Sequence, residues 1–263
     1  MTDTGDVVPL PWQSFDELFA ADDPAAEVAA VRPEIEAAVT PERLLAPVVH
    51  RPQIIGTGGN YADHTTEARQ AIQISEPVFL PYLWGAVIGP RESIVIPYPD
   101  SKTDYEVELA VVIGRTAKHL TEEDAMEHVF GYTVVNDVSA RAVMEREKYQ
   151  VMLCKSIDTY MPVGPYVVTK DEIPDPYALG IATYLNGEAR QKSVTGAMTH
   201  RIPRLLTTLT RSVTLHPGDI VSTGTPGGVG FFRTPQEFMR PGDVITAEVE
   251  GVGRLTNTVV AGW

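Results

Sequence analysis

The segment from Asp104 to Ile113 places two carboxylates inside the most apolar strand-like run of the chain. Side chains alternate across a β-strand, so Glu106 and Glu108 share one face and apolar residues occupy the other. The rest of the acidic face is apolar as well, which is typical of a strand buried on both sides. Two neighbouring buried carboxylates are costly, so the pattern predicts either a shared proton or a cation between them.

A third carboxylate, Asp137, follows the next strand-like run, which extends from Gly131 to Asn136. Three oxygen donors suit a hard divalent ion, with Mg²⁺ as the first expectation, and they leave coordination positions for water and substrate. We therefore predict a metal site that consists of Glu106, Glu108 and Asp137.

Composition limits the classes of function and partner. The chain has 263 residues, of which 43% are hydrophobic, and a net charge of −14. A nucleic-acid partner requires a basic surface, so this charge argues against one. No apolar run approaches the length of a membrane span, and the single cysteine excludes an intrachain disulfide. Residues 1–9 lack the basic and apolar regions of a signal peptide, so we expect a cytoplasmic protein.

The pattern of the chain predicts a small leading unit and a large strand-rich one. A capping-type start at Ser14 is followed by apolar residues at roughly helical spacing, interrupted at Pro24. We predict a small N-terminal subdomain over residues 1–48 and a main domain over residues 49–263.

Turn signals are frequent in the second half. Asn186-Gly187 predicts a hairpin, and the Pro-Gly pairs at Pro217 and Pro241 predict type II turns before strands. The stretch from Lys155 to Pro165 contains so many turn formers that we expect it to be irregular. Its lysine is ordinarily solvated, but a half-buried lysine beside an anionic centre would be functional.

A strand that ends in a glycine-rich turn precedes a predicted helix start after Asn60. A dinucleotide fingerprint would need glycine at the position of Tyr61, so a Rossmann site is rejected. His64 and Glu67 are three residues apart and share a helical face. Their spacing fits an ordinary exposed pair and equally an imidazole that is oriented by a carboxylate.

The segment from Thr223 to Gly230 is rich in glycine but lacks the Gly-Lys-Ser/Thr ending of a phosphate loop. Its backbone amides, together with the hydroxyls of Thr223 and Thr225, are able to hold a carboxylate. A plain glycine turn is the competing interpretation.

Taken together, these segments resemble the fumarylacetoacetate hydrolase family, including its acylpyruvase and oxaloacetate decarboxylase-like branch. The resemblance runs from Ile54 to Asn257 and depends on Gly59-Asn-Tyr-Ala-Asp-His64 with Glu67, Asp104–Gly114, Gly131–Arg141, Lys155-Ser-Ile-Asp158, Leu185–Glu188, and Pro217-Gly-Asp219 with Thr223-Gly-Thr-Pro226. It implies an α+β, β-rich fold, built as a mixed β-sheet roll. It also implies a homodimer with a Mg²⁺ or Mn²⁺ site that acts on 2-oxo acids or 1,3-dicarbonyl compounds.

The resemblance also implies roles for individual residues. The three carboxylates already named match the family's metal ligands. His64 and Glu67 match its lid dyad, which activates water or relays a proton, and Lys155 matches the lysine beside the metal. The substrate-binding residues that it implies are Tyr61, Arg141, Gly224 and Thr225, the last of which matches the threonine that holds the substrate carboxylate.

Three positions depart from the family pattern near the expected pocket. Pro81 stands where members commonly have lysine, and Ala142 and Met144 stand where they often have aspartate and glutamine. Apolar groups replace polar ones, so we expect the metal chemistry to persist with a substrate that differs from the usual acylpyruvates.

The predicted function is metal-dependent C–C bond cleavage of a 2-oxo acid or 1,3-dicarbonyl compound, by a hydrolase or lyase that passes through a metal-stabilised enolate. Enol–keto isomerisation, hydration and decarboxylation share that enolate and stay open as alternatives. An alternative from another class is a metal-dependent protein that binds a small acid without turnover.

Overall fold

The computed structural model describes residues 6–32, 34–67, 75–148 and 150–262 of the chain. In these residues two large sheets dominate and the helices are short. The longest helix has nine residues, and none of the described helices is long and apolar enough to cross a membrane. The mixture of sheets with short helices confirms the predicted α+β, β-rich fold class.

The described residues form fourteen strands. They are β1 Ile54–Gly58, β2 Val78–Tyr82, β3 Val87–Ile88, β4 Ser93–Ile96, β5 Thr103–Asp104, β6 Val107–Ile113, β7 Val129–Asn136, β8 Ser139–Ala140, β9 Met161–Thr169, β10 Gly180–Leu185, β11 Glu188–Val194, β12 Ile220–Ser222, β13 Val244–Val249 and β14 Gly253–Ala261.

The described helices are α1 Phe15–Phe19, α2 Pro24–Ala30, α3 Ala62–Glu67, α4 Arg141–Arg146, α5 Val151–Lys155 and α6 Ile202–Thr210. Short 3₁₀ turns occupy Ile35–Ala37, Trp84–Ala86, Ala125–His128, Lys170–Glu172, Thr195–Ala197 and Gly230–Phe232.

The two large sheets are mixed. The seven-stranded sheet has the order β2-β1-β12-β6-β7-β9-β3, and the five-stranded sheet has the order β11-β10-β13-β14-β4. Strands β5 and β8 form a separate pair. Three neighbouring pairs are parallel, namely β1 with β12, β3 with β9, and β4 with β14. Strand β6 therefore lies at the centre of the larger sheet, between β12 and β7.

Strand β6 organises the layers on both of its faces. Its odd-numbered residues, from Val107 to Ile113, belong to the largest apolar cluster, which also contains residues of the five-stranded sheet and α6. On the opposite face Ala110 belongs to a second cluster, and Val112 packs under the N-terminal helices. Glu108 lies on this second face. All seven residues of the strand are buried, which confirms the predicted burial on both sides.

The N-terminal helices pack against the seven-stranded sheet where β6 ends and β7 begins. Leu18 and Phe19 of α1 pack against Val112 and Phe130, and the rings of Phe19 and Phe130 meet edge to face at 4.9 Å. The 1–48 boundary of this unit stays a prediction, and residues 1–5 lie outside the described part of the chain.

The hairpin and turn signals of the second half are confirmed. Asn186 and Gly187 connect β10 to β11 with φ angles of 53° and 84°, as a type I′ turn requires. Gly218 and Gly242 have φ angles of 86° and 98°. In each case the following residue donates its amide to the carbonyl three residues earlier, at 3.0 Å, which fits a type II turn.

The prediction of irregular structure between Lys155 and Pro165 is wrong at both ends. Lys155 is the last residue of α5, and Met161 begins β9. Prolines are tolerated in β9 because one of its sides faces only the two-residue β3, as at the edge of a sheet.

We expect Leu109→Ala to lower the free energy of unfolding by about 3 kcal/mol, because the leucine is fully buried in central β6 and its removal leaves a cavity. Chemical denaturation measures this change. Leu83→Ala is the matched control, since Leu83 is 54% exposed, and it should change stability by no more than about 0.5 kcal/mol. Equal effects of the two substitutions would contradict the assigned core.

Candidate metal centre and active site

Three carboxylates converge where β6 begins and β7 ends. Glu108 lies in β6, Glu106 precedes it, and Asp137 follows β7. The strand register pairs Val107 with Asn136, and the Asp137 amide donates to the Glu106 carbonyl at 2.8 Å. One oxygen of each carboxylate lies within 4.8 Å of those of the other two, and all three residues are buried. The backbone pairing of two adjacent strand ends therefore brings these acidic groups together.

The Lys155 ammonium lies between two of these carboxylates. It donates to Glu106 Oε2 at 2.7 Å and to Asp137 Oδ2. The Tyr82 hydroxyl donates to the same Asp137 oxygen at 2.6 Å. Lys155 is only 6% exposed, so it is a buried lysine beside an anionic centre and not an ordinary solvated one.

Glu108 is held from the opposite side by the end of β12. Its Oε2 accepts hydrogen bonds from the Ser222 hydroxyl and from the Gly224 amide, the latter at 2.9 Å. Gly224 has φ of 92°, and a Cβ there would lie 2.9 Å from Asn60 Cβ. Glycine is therefore required for this amide to reach Glu108.

Arg141 is buried against two acidic side chains. Its Nε donates to Asp104 Oδ2 at 2.9 Å, and its Nη2 donates to Glu106 Oε1. The two oxygens of Glu106 thus accept from different cations, Arg141 on one side and Lys155 on the other. This double contact fixes the orientation of the carboxylate.

Two of the predicted substrate-binding residues, Tyr61 and Thr225, are buried. The Thr225 hydroxyl donates to the Val107 carbonyl at 2.9 Å and accepts from Gln191 Nε2 at 2.8 Å, so its own proton is already committed. Tyr61 is fully buried, and burial together with the charge of Glu108 raises the pKa of its phenol.

The predicted His64–Glu67 pair is formed on α3. Nδ1 of His64 lies 2.9 Å from Glu67 Oε1, and Glu67 Oε2 accepts from the Gly228 amide at 2.8 Å. The side chains are 15% and 22% exposed, and the Phe232 ring meets the imidazole edge to face at 5.8 Å. The imidazole is therefore oriented by its neighbours while it keeps some access to solvent.

The pKa values of the three carboxyl groups are shifted in different directions. Burial, with the charges of Asp137 and Glu106, raises the pKa of Glu108 well above its usual range. Burial also raises the pKa of Asp137 to about 6. Burial opposes ionisation of Glu106 as well, but Lys155 and Arg141 outweigh it and hold its pKa below the usual range.

The donor set fits a hard divalent cation. Glu106, Glu108 and Asp137 offer only oxygen, which suits Mg²⁺ or Mn²⁺. Oδ1 of Asp137 is buried without a hydrogen-bond partner, and such an atom is costly unless something satisfies it. A cation held by the three carboxylates would do so.

Several residues that contact the site were not predicted from the sequence. They are Tyr82, Asp104, Gln191 and Ser222. Asp104 is the first residue of the acidic segment Asp104–Ile113, so the motif could have indicated it. The other three reach the site only through the pairing of distant strands, and no local spacing signals them.

The model of the fumarylacetoacetate (FAA) hydrolase C-terminal family matches residues 53–260. Oxaloacetate tautomerase FAHD2A of Bos taurus, a mitochondrial protein, is 44% identical over 217 residues, which are 82% of this chain and 69% of that protein.

Two solved structures are similar to this chain. The fumarylacetoacetate hydrolase of Exiguobacterium antarcticum is 39% identical with a TM-score of 0.79, and the match covers 88% of this chain and 83% of that one. The 5-carboxymethyl-2-hydroxymuconate delta-isomerase of Mycobacterium smegmatis is 36% identical with a TM-score of 0.75, and the match covers 89% and 87%. By sequence and by structure, the chain belongs to the fumarylacetoacetate hydrolase family.

Proposed function

We propose that the protein is a divalent-metal-dependent enzyme that interconverts the enol and keto forms of a small 2-oxo acid. The observation that carries the proposal is the convergence of Glu106, Glu108 and Asp137, two of which accept from the Lys155 ammonium, with His64 partly exposed on α3. Relatives with the names oxaloacetate tautomerase and delta-isomerase support this class of reaction.

The buried charges suit stabilisation of an enolate. A Mg²⁺ or Mn²⁺ ion in this site would act as a Lewis acid towards the oxygens of a 2-oxo acid. An ammonium has three donors, and Lys155 uses two of them on Glu106 and Asp137. Its third donor remains for the substrate oxygen on which negative charge grows. Lys155 thereby stabilises the transition state more than the ground state.

His64 suits the transfer of the proton. The Glu67 carboxylate beside Nδ1 favours the tautomer with its proton on Nδ1, which leaves Nε2 as a base. In the keto-to-enol direction, Nε2 takes the proton from the carbon next to the carbonyl, and the resulting imidazolium returns that proton to the enolate oxygen, directly or through water, which regenerates the neutral histidine. The reverse direction returns the proton to carbon, so the reaction needs neither a leaving group nor a water nucleophile.

C–C bond cleavage, which ranked first from the sequence, is the second candidate. The oriented and partly exposed His64–Glu67 pair favours it, because such a pair is also able to activate water. Cleavage additionally requires stabilisation of a leaving group. Met144 stands where family members often have a polar side chain, and here it packs against an apolar cluster. We therefore rank tautomerisation above cleavage.

The predicted cytoplasmic location and homodimer remain proposals. The bovine relative is a mitochondrial protein. Light scattering during size-exclusion chromatography measures the mass of the particle and so tests for a dimer.

Product analysis tests the proposed reaction. We expect the protein with Mg²⁺ or Mn²⁺ to accelerate loss of the enol absorbance of oxaloacetate, with only the keto form detected by NMR at early times. Pyruvate would indicate decarboxylation, and shorter acids formed from acylpyruvates would indicate cleavage. Tight binding of these acids without any product would favour the alternative of a binding protein.

His64→Ala should lower kcat by roughly 10²- to 10⁴-fold, because it removes the proton-transfer group. The affinity for Mn²⁺, measured by calorimetry, should stay unchanged, since His64 is not among the clustered carboxylates. His128→Ala is the matched control, because the side chain of this half-buried histidine hydrogen-bonds the Arg115 carbonyl and none of the site residues. Unchanged turnover in folded His64→Ala would remove the histidine from the chemistry.

Metal stabilisation should increase with pH. The pKa of Asp137 is raised from 3.8 to about 6, and that of Glu108 is raised as well. In the metal-free protein these groups hold protons that the unfolded chain releases at lower pH. Their contribution to stability is therefore lost as pH rises from about 4 to above 6.

A dication requires the deprotonated carboxylates, so its affinity rises over the same range. The difference in unfolding midpoint between samples with excess Mn²⁺ and with EDTA should therefore be larger at about pH 7 than at about pH 5. Asp137→Asn should reduce this pH dependence. A midpoint that metal does not move at either pH would contradict the site.

A further inference from the structure

Asp104 is a fully buried carboxylate that does not belong to the metal cluster. Its Oδ1 accepts from the amides of Tyr105 and Gly230, at 2.9 and 2.7 Å. Its Oδ2 accepts from the Phe231 amide at 3.0 Å and from Arg141 Nε at 2.9 Å. Four donors engage the two oxygens, so this acidic side chain is occupied by protein and is not available as a ligand.

On one side Asp104 controls the position of a metal-site carboxylate. Arg141 forms a bridge, with Nε on Asp104 and Nη2 on Glu106 Oε1. The planar guanidinium fixes the angle between its two contacts. Any shift of Asp104 therefore moves Arg141, and with it the Glu106 carboxylate that also meets Lys155.

On the other side Asp104 anchors the turn that packs against the imidazole. The amides of Gly230 and Phe231 donate to the Asp104 carboxylate. The ring centroid of the following residue, Phe232, lies 5.8 Å from that of His64. The Phe231 ring lies 5.1 Å from Phe232 and 5.8 Å from the Arg141 guanidinium, so the two sides also touch.

Close approach of this turn to Asp104 depends on glycine. A Cβ at Gly230 would lie 1.8 Å from the Glu237 carbonyl oxygen and 2.7 Å from Asp104 Oδ1. The backbone at Gly230 therefore approaches the Asp104 carboxylate so closely that a residue with a Cβ would not fit there.

We propose that Asp104 is a positioning residue that sets two separate parts of the site at once, the metal carboxylate Glu106 through Arg141 and the base His64 through the Gly230–Phe232 turn. This inference rests on the proposed function for its effect on turnover, but its structural content concerns only metal affinity and the surroundings of His64. Asp104 contacts neither group directly in these hydrogen bonds, so its effect is transmitted.

Asp104→Asn tests the inference, because an amide has the same shape but only one accepting oxygen for the four donors. Calorimetry should show a loss of Mn²⁺ affinity of roughly tenfold or more. In metal-free protein labelled at histidine, the His64 Hε1 NMR signal should shift. kcat should fall more than KM rises. Unchanged Mn²⁺ affinity or an unmoved His64 signal in the folded variant would overturn the proposal.

Asp171→Asn is the matched control, since Asp171 is exposed in the 3₁₀ turn Lys170–Glu172, which makes none of these contacts, and it should leave all three readouts unchanged. The metal and NMR readouts do not need a substrate. If the wild-type protein turned over no 2-oxo acid, the proposed reaction would fail while these two readouts still judged Asp104.

Two further variants keep the test decisive if Asp104→Asn does not fold. Arg141→Lys breaks the bridge to Glu106 and should weaken Mn²⁺ binding. Phe232→Leu removes the aromatic contact and should shift the His64 signal while the Mn²⁺ affinity is retained. Normal Mn²⁺ affinity in Arg141→Lys, or an unmoved His64 signal in Phe232→Leu, would overturn the corresponding side of the proposal.

Discussion

The balance of charge in a water-excluded place is the constraint on which the site depends. The four carboxylates of Asp104, Glu106, Glu108 and Asp137 are buried together, and among the described residues the cations buried with them are Arg141 and Lys155. If all six groups were ionised, two negative charges would remain, and uncompensated buried charge is expensive. The raised pKa of Glu108 shows one response of the metal-free protein, which is to retain a proton. A bound divalent cation would be the other response, because its two charges would cancel the excess.

The fold places the buried carboxylates and His64 in different surroundings. Strand β6 is buried on both faces, and Glu106, Glu108 and Asp137 meet where β6 begins and β7 ends. Helix α3 lies nearer to solvent and carries His64. The segment from Gly228 to Phe232 connects the two regions, since it contacts Glu67, His64 and Asp104. One short stretch of backbone thus contacts both the buried charged cluster and the more accessible His64–Glu67 pair.

Local patterns in the sequence were informative wherever the structure depends on local geometry. The alternation along β6 predicted which face carries Glu108, and Asn186-Gly187 predicted its hairpin, because both follow from backbone periodicity and φ preference. The turn formers between Lys155 and Pro165 suggested irregular structure, but both prolines lie in β9, whose edge-like position accepts prolines that a central strand would not. The pattern alone left the His64–Glu67 pair ambiguous, and its ordering contacts come from residues far away in the chain. Tyr82 and Gln191 were missed for the same reason.

A crystal grown with Mn²⁺ would show whether the three buried carboxylates share one dication. In an anomalous difference map recorded near the manganese edge, we expect one strong peak among the oxygens of Glu106, Glu108 and Asp137, with Mn–O distances of about 2.0–2.3 Å. A map without a peak there, or with the strongest peak on an unrelated acidic surface, would mean that these carboxylates do not form the metal site.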